Sequence, residues 1–309
     1  MSLQFPHGSR RASVWRPFIA MLALCAALAF AACGDDEDDS SSTTAPASTT
    51  AAVDVPAGAL LQDGTLTSGS ESDFPPYDFL DESGEYAGFD ADLTKALSKV
   101  LGLESRVIDT QFTSLIPGLQ SRKFDAIISM LYITAERARQ VDYIPYVNVT
   151  SSFLVEEGGD FQPQVPTDLC GKRVAVNKGS YNEQLLGGEI ARACKARGEE
   201  VPAIRSFPTD TQAAHEVSGG RADVNFEDTG TAVYRVKQQE NLGLELSNDE
   251  PLYPIAVGMA VRKGDTAMRG VIEDGLAALQ EDGTFQELLD EWGLEPADME
   301  LAQKAMSGT

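Results

Sequence analysis

Segments with strand-like and helix-like patterns alternate along the chain, and the same alternation occurs twice. Short apolar runs predict buried strands, and apolar residues spaced three and four apart predict helices. The predicted strands are residues 65–70, 106–108, 125–129, 173–176, 203–207 and 222–226, and the predicted helices are residues 89–101, 113–122, 135–141, 181–196, 210–218 and 229–239. This order predicts an α/β protein whose sheets are mostly parallel and carry helices on both faces.

The repetition predicts two lobes. Lys123-Phe124-Asp125-Ala126 in the first round resembles Arg221-Ala222-Asp223-Val224 in the second. A last strand at 255–261 and helices at 266–281 and 283–292 are expected to return to the first lobe. We therefore expect lobe 1 to comprise residues 58–149 and 256–309, and lobe 2 residues 150–255. Extended crossings near 147–152 and 255–259 would form a two-strand hinge. Ligands of α/β proteins bind beyond the carboxyl ends of strands, which places a site between the lobes.

The first 57 residues have the composition of an export signal and a tether. Arg10, Arg11 and Arg16 precede an apolar run at 18–32, and small residues lead to Cys33, as in a secretory signal. Phe30-Ala31-Ala32-Cys33 resembles a bacterial lipobox, so residues 1–33 are expected to be a signal peptide and Cys33 to be lipidated. The alternative is an ordinary cysteine in a secretory signal. Acidic and Ser/Thr-rich residues 34–57 predict a disordered tether.

Charge and spacing exclude several classes of function. The 309-residue chain has 48 acidic against 24 basic residues and a net charge of −24, which disfavours nucleic-acid binding. It contains no zinc-type Cys/His spacing, no G-x-G-x-x-G and no Walker lysine loop, so no metal and no cofactor are expected. Cys170 and Cys194 are the remaining thiols of an exported body, where disulfides persist, and we expect them to form one rather than stay free.

Several separated motifs then carry a family resemblance. Gly88-Phe89-Asp90-Ala91-Asp92-Leu93 followed by Leu97 resembles the signature of the family-3 extracellular solute-binding proteins. Leu131-Tyr132-Ile133-Thr134-Ala135-Glu136-Arg137 and Asp282-Gly283-Thr284-Phe285 follow in the family's order, and the resemblance covers almost all of residues 65–294. It implies the two-lobed, hinged periplasmic-binding-protein type II fold. It also implies a monomeric receptor for a polar amino acid that docks on the permease of an ATP-driven importer.

The resemblance also implies roles at both ends of a ligand. Arg137 matches the arginine that holds the ligand α-carboxylate, and the alternative is a solvated arginine. Ser180 and Tyr181 lie in the turn that closes onto the same carboxylate, although Tyr181 departs from the family's Ser or Thr, and Ser180 alternatively is only a helix cap. Asp228 matches the acceptor of the ligand ammonium, with a helix N-cap as its alternative or additional role, and Glu227 beside it is expected to be solvated.

The remaining predicted contacts surround the ligand. Phe74 and Phe112 match two aromatic walls, and the alternative is that they are core residues. Glu71 occupies a position that reads the ligand side chain and favours a polar or basic one. Met130 and Tyr132 depart from the small residue and the Ser or Thr that the family has there, which indicates a smaller pocket or a modified ligand.

Together these features predict an exported lipoprotein, held at the bacterial cell membrane only by its lipid, that binds a small zwitterion and is not an enzyme. The alternative is an enzyme on the same scaffold, since some relatives dehydrate prephenate or arogenate. That chemistry requires a cleft carboxylic acid of raised pKa, for which Glu71, Glu227 and Asp228 are the candidates.

Overall fold

The computed structural model describes residues 55–308. The predicted signal, Cys33 and almost all of the tether lie outside the described residues. The strands are β1 Thr65–Ser70, β2 Asp73–Phe74, β3 Asp78–Leu80, β4 Tyr86–Ala87, β5 Glu104–Asp109, β6 Ala126–Ile127, β7 Val141–Glu156, β8 Arg173–Asn177, β9 Ala203–Phe207, β10 Val224–Asp228, β11 Leu244–Leu246, β12 Leu252–Arg262 and β13 Glu295–Pro296. The helices are α1 Phe89–Val100, α2 Leu115–Gln120, α3 Ala135–Ala138, α4 Tyr181–Leu185, α5 Ala191–Ala196, α6 Asp210–Ser218, α7 Thr229–Gln238, α8 Thr266–Glu281, α9 Thr284–Trp292 and α10 Met299–Ser307.

The main sheet runs in the order β5-β1-β6-β12-β7-β10-β8-β9. On one side of its centre β1 is parallel to β5 and β6, and on the other side β8 is parallel to β9 and β10. The two long central strands, β7 and β12, are antiparallel to each other and to their neighbours. The predicted α/β class, with parallel pairing within each half and helices around it, is confirmed.

We use lobe 1 for the half with β1, β5 and β6, and lobe 2 for the half with β8, β9 and β10. The sheet is continuous through β7 and β12, so the boundaries of the lobes at 150 and 255, and the hinge there, stay predictions. Pro145 lies opposite Gly258 where the register of β7 and β12 shifts. Since proline cannot donate to the ladder, this irregularity accommodates it within a long strand.

Each lobe has its own apolar core because its helices bury one face against the sheet. In lobe 1, α1 buries Leu93 and Leu97 against α8, where Gly275 gives Leu97 room. In lobe 2, the rings of Phe153 of β7 and Phe226 of β10 pack against each other, with their centres 5.1 Å apart. The chain around Cys194 is tied to Cys170 by the predicted disulfide, with the two Cα atoms 5.6 Å apart.

The structure departs from the predicted elements in a few places. The helix predicted at 181–196 contains a π-helical turn, Leu186–Ile190, between α4 and α5. The crossing near 147–152 is only the middle of the 16-residue strand β7. The small sheet β2-β3-β4 and helix α10 were not predicted. No helix within residues 55–308 is long and apolar enough to cross a membrane.

Candidate functional site

One cleft lies beyond the carboxyl ends of strands from both lobes and encloses about 490 Å³, part of it open to solvent. All of the side chains that the sequence singled out for ligand binding line it, namely Glu71, Phe74, Phe112, Met130, Tyr132, Arg137, Ser180, Tyr181 and Asp228. Ser129, Asn177, Asn182 and Asp210, which the sequence did not single out, line it as well, and so does Glu227, which was a candidate only for the enzymatic alternative. Their strands end at the same cleft, which is why the fold brings them together.

Arg137 is buried in the first turn of α3. Thr134 caps that helix and accepts from the Arg137 backbone N–H at 3.2 Å. The guanidinium donates from Nη1 to the Tyr132 carbonyl at 2.9 Å and from Nη2 to the Gly179 carbonyl, in lobe 2, at 3.0 Å. It lies 5.1 Å from the centre of the Phe112 ring. Burial lowers the pKa of Arg137, but a guanidinium stays charged. The alternative of a solvated arginine is wrong.

Ser180 is the N-cap of the helical run that begins with α4. Its Oγ accepts from the Glu183 N–H at 3.1 Å, and the Glu183 carboxylate accepts from the Gly179 N–H at 2.6 Å. This reciprocal capping uses donors that the resemblance assigned to a ligand carboxylate. Capping is therefore shown for Ser180, while its contact with a ligand stays a prediction. The Tyr181 ring next to it lies 6.3 Å from the Tyr132 ring across the cleft.

Asp228 ends β10 and caps α7, and it also receives two phenols from lobe 1. Oδ1 accepts from the Gly230 and Thr231 N–H groups at 2.7 and 3.2 Å and from the Tyr77 hydroxyl at 2.8 Å. Oδ2 accepts from the Tyr132 hydroxyl at 2.6 Å. Burial raises the pKa of Asp228, and the hydrogen bonds from Tyr132 and Tyr77 oppose that shift. Tyr77 was not among the predicted site residues.

We define the acceptor corner as Glu71, Asn177, Asp210 and Glu227. The Phe112 N–H donates to Glu71 Oε1 at 3.1 Å, and Asn177 Nδ2 donates to Asp210 Oδ2 at 3.0 Å. Among the described residues, Asn177 Oδ1 and Glu227 Oε1 are buried without a hydrogen-bond partner. Buried acceptors without a donor are costly, so this corner favours a ligand that donates hydrogen bonds.

Each carboxyl group of the acceptor corner has a raised pKa. Burial, and then repulsion from Asp210, raise the pKa of Glu71 to about 8. Burial likewise raises the pKa of Glu227 to about 8, against the opposing charge of Arg235. It raises the pKa of Asp210 to about 6. At neutral pH the corner is therefore only partly ionised unless a cation enters it.

The expectation that Glu227 is solvated is wrong. Its side chain is fully buried and pairs with the equally buried Arg235 of α7, with 3.1 Å between Oε2 and Nε. Ala232 and Arg235 share one face of α7, three residues apart, and both are buried. A cation on an apolar helix face requires a buried acid nearby, and that pattern in the sequence could have indicated Glu227.

Met130 forms part of the cleft floor in an unusual conformation. Its φ is 39°, in the left-handed region, and its N–H donates to Asp90 Oδ2 at 2.6 Å. Asp90 Oδ1 accepts from the Tyr146 hydroxyl at 2.8 Å. The aspartate of the signature motif therefore acts from beneath the cleft, where it fixes the backbone of a lining residue.

The sequence profile of the bacterial extracellular solute-binding proteins, family 3, matches residues 66–295. The chain belongs to this family. The arginine-binding protein 1 of an ABC transporter from Escherichia coli is 30% identical over 229 residues, 74% of this chain and 90% of that protein. An L-arginine-binding protein from Pseudomonas aeruginosa is 31% identical over 237 residues, 74% of this chain and 88% of that one.

Solved structures of amino-acid-binding proteins share the fold. An ancestral arginine-binding protein bound to glutamine is 34% identical with a TM-score of 0.67, covering 75% of this chain and 98% of that one. An ancestral amino-acid-binding protein, a precursor of cyclohexadienyl dehydratase, is 33% identical with a TM-score of 0.64, covering 74% of this chain and 95% of that one. The predicted periplasmic-binding-protein fold is thus confirmed. Both relatives are named as arginine-binding proteins, and the one from Escherichia coli is named as part of an ABC transporter.

Proposed function

We propose that this family-3 solute-binding protein captures a small zwitterion, a polar amino acid, between its lobes and delivers it to the permease of an ABC importer. The observation that carries the proposal is that the buried guanidinium of Arg137 and the carboxyl groups of the acceptor corner line one cleft. A zwitterion presents the complementary pair of charges. Both relatives are named as arginine-binding proteins and one of them as part of an ABC transporter, which supports the same class of ligand.

Arg137 is the group that we assign to the ligand carboxylate. Its bonds to the Tyr132 and Gly179 carbonyls fix the plane of the guanidinium. A guanidinium has five N–H donors in a rigid fork and can bind a carboxylate through two parallel bonds, which lysine cannot. The Phe112 ring beneath it keeps water from one side. Phe112 and Phe74 would hold the aliphatic part of the ligand.

The acceptor corner is the group that we assign to the ligand's cationic or donor end. Its carboxyl groups outnumber the cations that line the cleft, where the only lining cation among the described residues is Arg137. A basic side chain would donate to the unpartnered Asn177 Oδ1 and Glu227 Oε1. It would also favour the ionised form of Glu71, whose charge its burial opposes. These contacts favour basic over acidic amino acids.

Release and location complete the proposal. We infer that the lobes meet along residues 150 and 255 and open there about β7 and β12, as a monomer that docks on the permease when closed.

We further propose that export and lipidation at Cys33 hold the protein at the outer face of the cell membrane, with residues 34–57 as the tether. Replacing Cys33 by Ser should release the processed protein from the membrane fraction. A fully processed, membrane-bound product would contradict lipidation at Cys33.

The proposal is tested by isothermal titration with arginine, lysine, histidine, glutamine and cystine. Arg137→Ala should lose binding of whichever ligand the wild type binds, because one buried, charge-assisted pair is removed. Arg139→Ala is the matched control, since Arg139 lies on the exposed side just after α3. Equal affinities of the Arg137→Ala variant and the wild type, with both folded, would refute the role of Arg137.

The enzymatic alternative has one observation in its favour. Glu71 and Glu227 have the raised pKa, about 8, that a general acid requires at neutral pH. One lining guanidinium in an acidic cleft, however, suits a dicarboxylate such as prephenate poorly. Incubation with prephenate and arogenate, followed by the absorbance of the aromatic product, separates the two functions. Turnover that Glu71→Gln or Glu227→Gln abolishes would establish the enzyme.

A further inference from the structure

The acceptors around Arg137 are already engaged within the protein. The Tyr132 carbonyl accepts from Arg137 and also from the Tyr143 hydroxyl at 3.2 Å. The Gly179 carbonyl accepts from the same guanidinium. Asp228 accepts four hydrogen bonds, two of them from the hydroxyls of Tyr77 and Tyr132. Three of these bonds end on Oδ1, which is thereby fully engaged, and the Tyr132 hydroxyl occupies Oδ2.

An α-ammonium must find its partners close to its own carboxylate. The two groups share one carbon, so a carboxylate held by Arg137 leaves the ammonium near Arg137 and Tyr132. An ammonium has three donors and is costly to bury without acceptors. At Asp228 it would compete with the Tyr132 phenol, which donates to Oδ2 at 2.6 Å and whose ring is itself buried. The cleft therefore offers few free hydrogen-bond acceptors to an α-ammonium.

The unpartnered acceptors lie in the acceptor corner instead. Glu227 precedes Asp228 on β10, and neighbouring side chains of a strand point to opposite faces. Glu227 Oε1 and Asn177 Oδ1 are both buried and have no partner among the described residues. A donor on the distal end of a ligand can satisfy them without disturbing the phenols.

We infer that the Tyr77 and Tyr132 phenols take the place of an α-ammonium at Asp228, and that the cleft accepts carboxylates whose cation is distal: ω-amino or ω-guanidino acids. This rests on the proposed function, and it narrows the ligand class. The ligand carboxylate lies on Arg137, its chain lies between the aromatic rings, and its cation lies in the acceptor corner. Tyr132 is then a specificity-determining residue.

The experiment compares each basic amino acid with its analogue that lacks the α-amino group. The pairs are L-arginine with δ-guanidinovalerate, L-lysine with ε-aminocaproate, and L-histidine with imidazole propionate, titrated calorimetrically into the purified protein. We expect the analogue of the best pair to bind as tightly as the amino acid or more tightly. If the amino acid binds more than about tenfold tighter, the inference is overturned, because its α-ammonium then forms a net favourable contact.

Substitution of Tyr132 tests whether its phenol causes the preference for ligands that lack an α-ammonium. Tyr132→Ser frees Asp228 Oδ2 and makes room, so it should shift the ratio toward the α-amino acid by roughly tenfold or more. Tyr86→Phe is the matched control, since it removes a phenol that donates to a buried carboxyl group, that of Asp78, away from the cleft. An unchanged ratio in folded Tyr132→Ser would overturn the assignment. Failure of every ligand to bind the folded wild type would refute the proposed function itself.

Discussion

Two buried carboxyl groups beneath the cleft differ in their pKa values because their hydrogen-bond partners differ. Asp78 of β3 and Asp90 of α1 are fully buried. Burial, and then repulsion from Asp90, raise the pKa of Asp78 well above its usual range. Burial raises the pKa of Asp90 only to about 6, because the Tyr146 hydroxyl and the Met130 N–H donate to it. Asp78 is therefore the member of the pair that binds a proton more strongly.

This asymmetry predicts unequal effects of the same substitution. Asp78→Asn resembles the protonated acid, the form that burial favours, and should change the free energy of unfolding little at neutral pH. Asp90→Asn replaces one accepting oxygen by a donor against Tyr146 or Met130, and should cost about 1–3 kcal/mol. Denaturant unfolding of the two variants side by side measures the difference. Equal losses would contradict the assignment of the proton to Asp78.

Residue-scale prediction from sequence succeeded where a motif fixed the position and failed where burial decided the role. Arg137 and Asp228 were found because they follow recognisable motifs and strand ends. Glu227 was expected in solvent because a carboxylate is rarely buried. Its pairing with the buried Arg235, eight residues further along the chain, shows otherwise. Tyr77 was missed because its partner, Asp228, lies 151 residues further along the chain.

At the scale of elements, the disulfide ties the entry of β8 to α5. Cys170 and Cys194 are 24 residues apart, and removing their bond frees that loop in the unfolded chain. Replacing both by Ala should lower the free energy of unfolding by roughly 3 kcal/mol. Ligand affinity should stay unchanged, because neither residue lines the cleft. Guanidinium denaturation, with wild type under oxidising and reducing conditions as controls, measures this. A reduced wild type as stable as the oxidised one would contradict it.

The elements that sequence patterns predicted are those long enough to show a period. Helices α1, α6, α7 and α8 agree with their predictions to within one residue at each end. The strands of the small sheet have two or three residues, too few for an alternating pattern. The length of β7 was underestimated because Pro145 interrupts it, and only the bulge opposite Gly258 shows how a strand tolerates that proline.

At the scale of the whole molecule, Gly230 in lobe 2 lies close to Tyr77 in lobe 1, and the closure that we propose would require this contact. A Cβ atom on Gly230 would overlap the Tyr77 hydroxyl. Gly230→Ala should therefore hold the lobes apart and weaken ligand binding by roughly tenfold or more, at the cost typical of overpacking. Gly270→Ala is the control, because a Cβ there meets no atom within 4 Å. Unchanged affinity and an unchanged ligand-dependent decrease in the radius of gyration would contradict this.

Proton binding by the acceptor corner makes both the stability of the protein and its affinity for a basic ligand depend on pH. The pKa of Glu71 and that of Glu227 rise from 4.5 to about 8 on folding, so the folded state binds more protons than the unfolded state between those values. Stability therefore falls as the pH rises through that range. A distal cation favours the ionised carboxylates and reverses the loss. The rise in melting temperature that a bound basic ligand causes should accordingly be larger near pH 8 than near pH 6. Thermal unfolding with and without ligand measures this, and Glu71→Gln should reduce the dependence. A rise that is the same at both pH values would show that no proton leaves the acceptor corner when the cation enters.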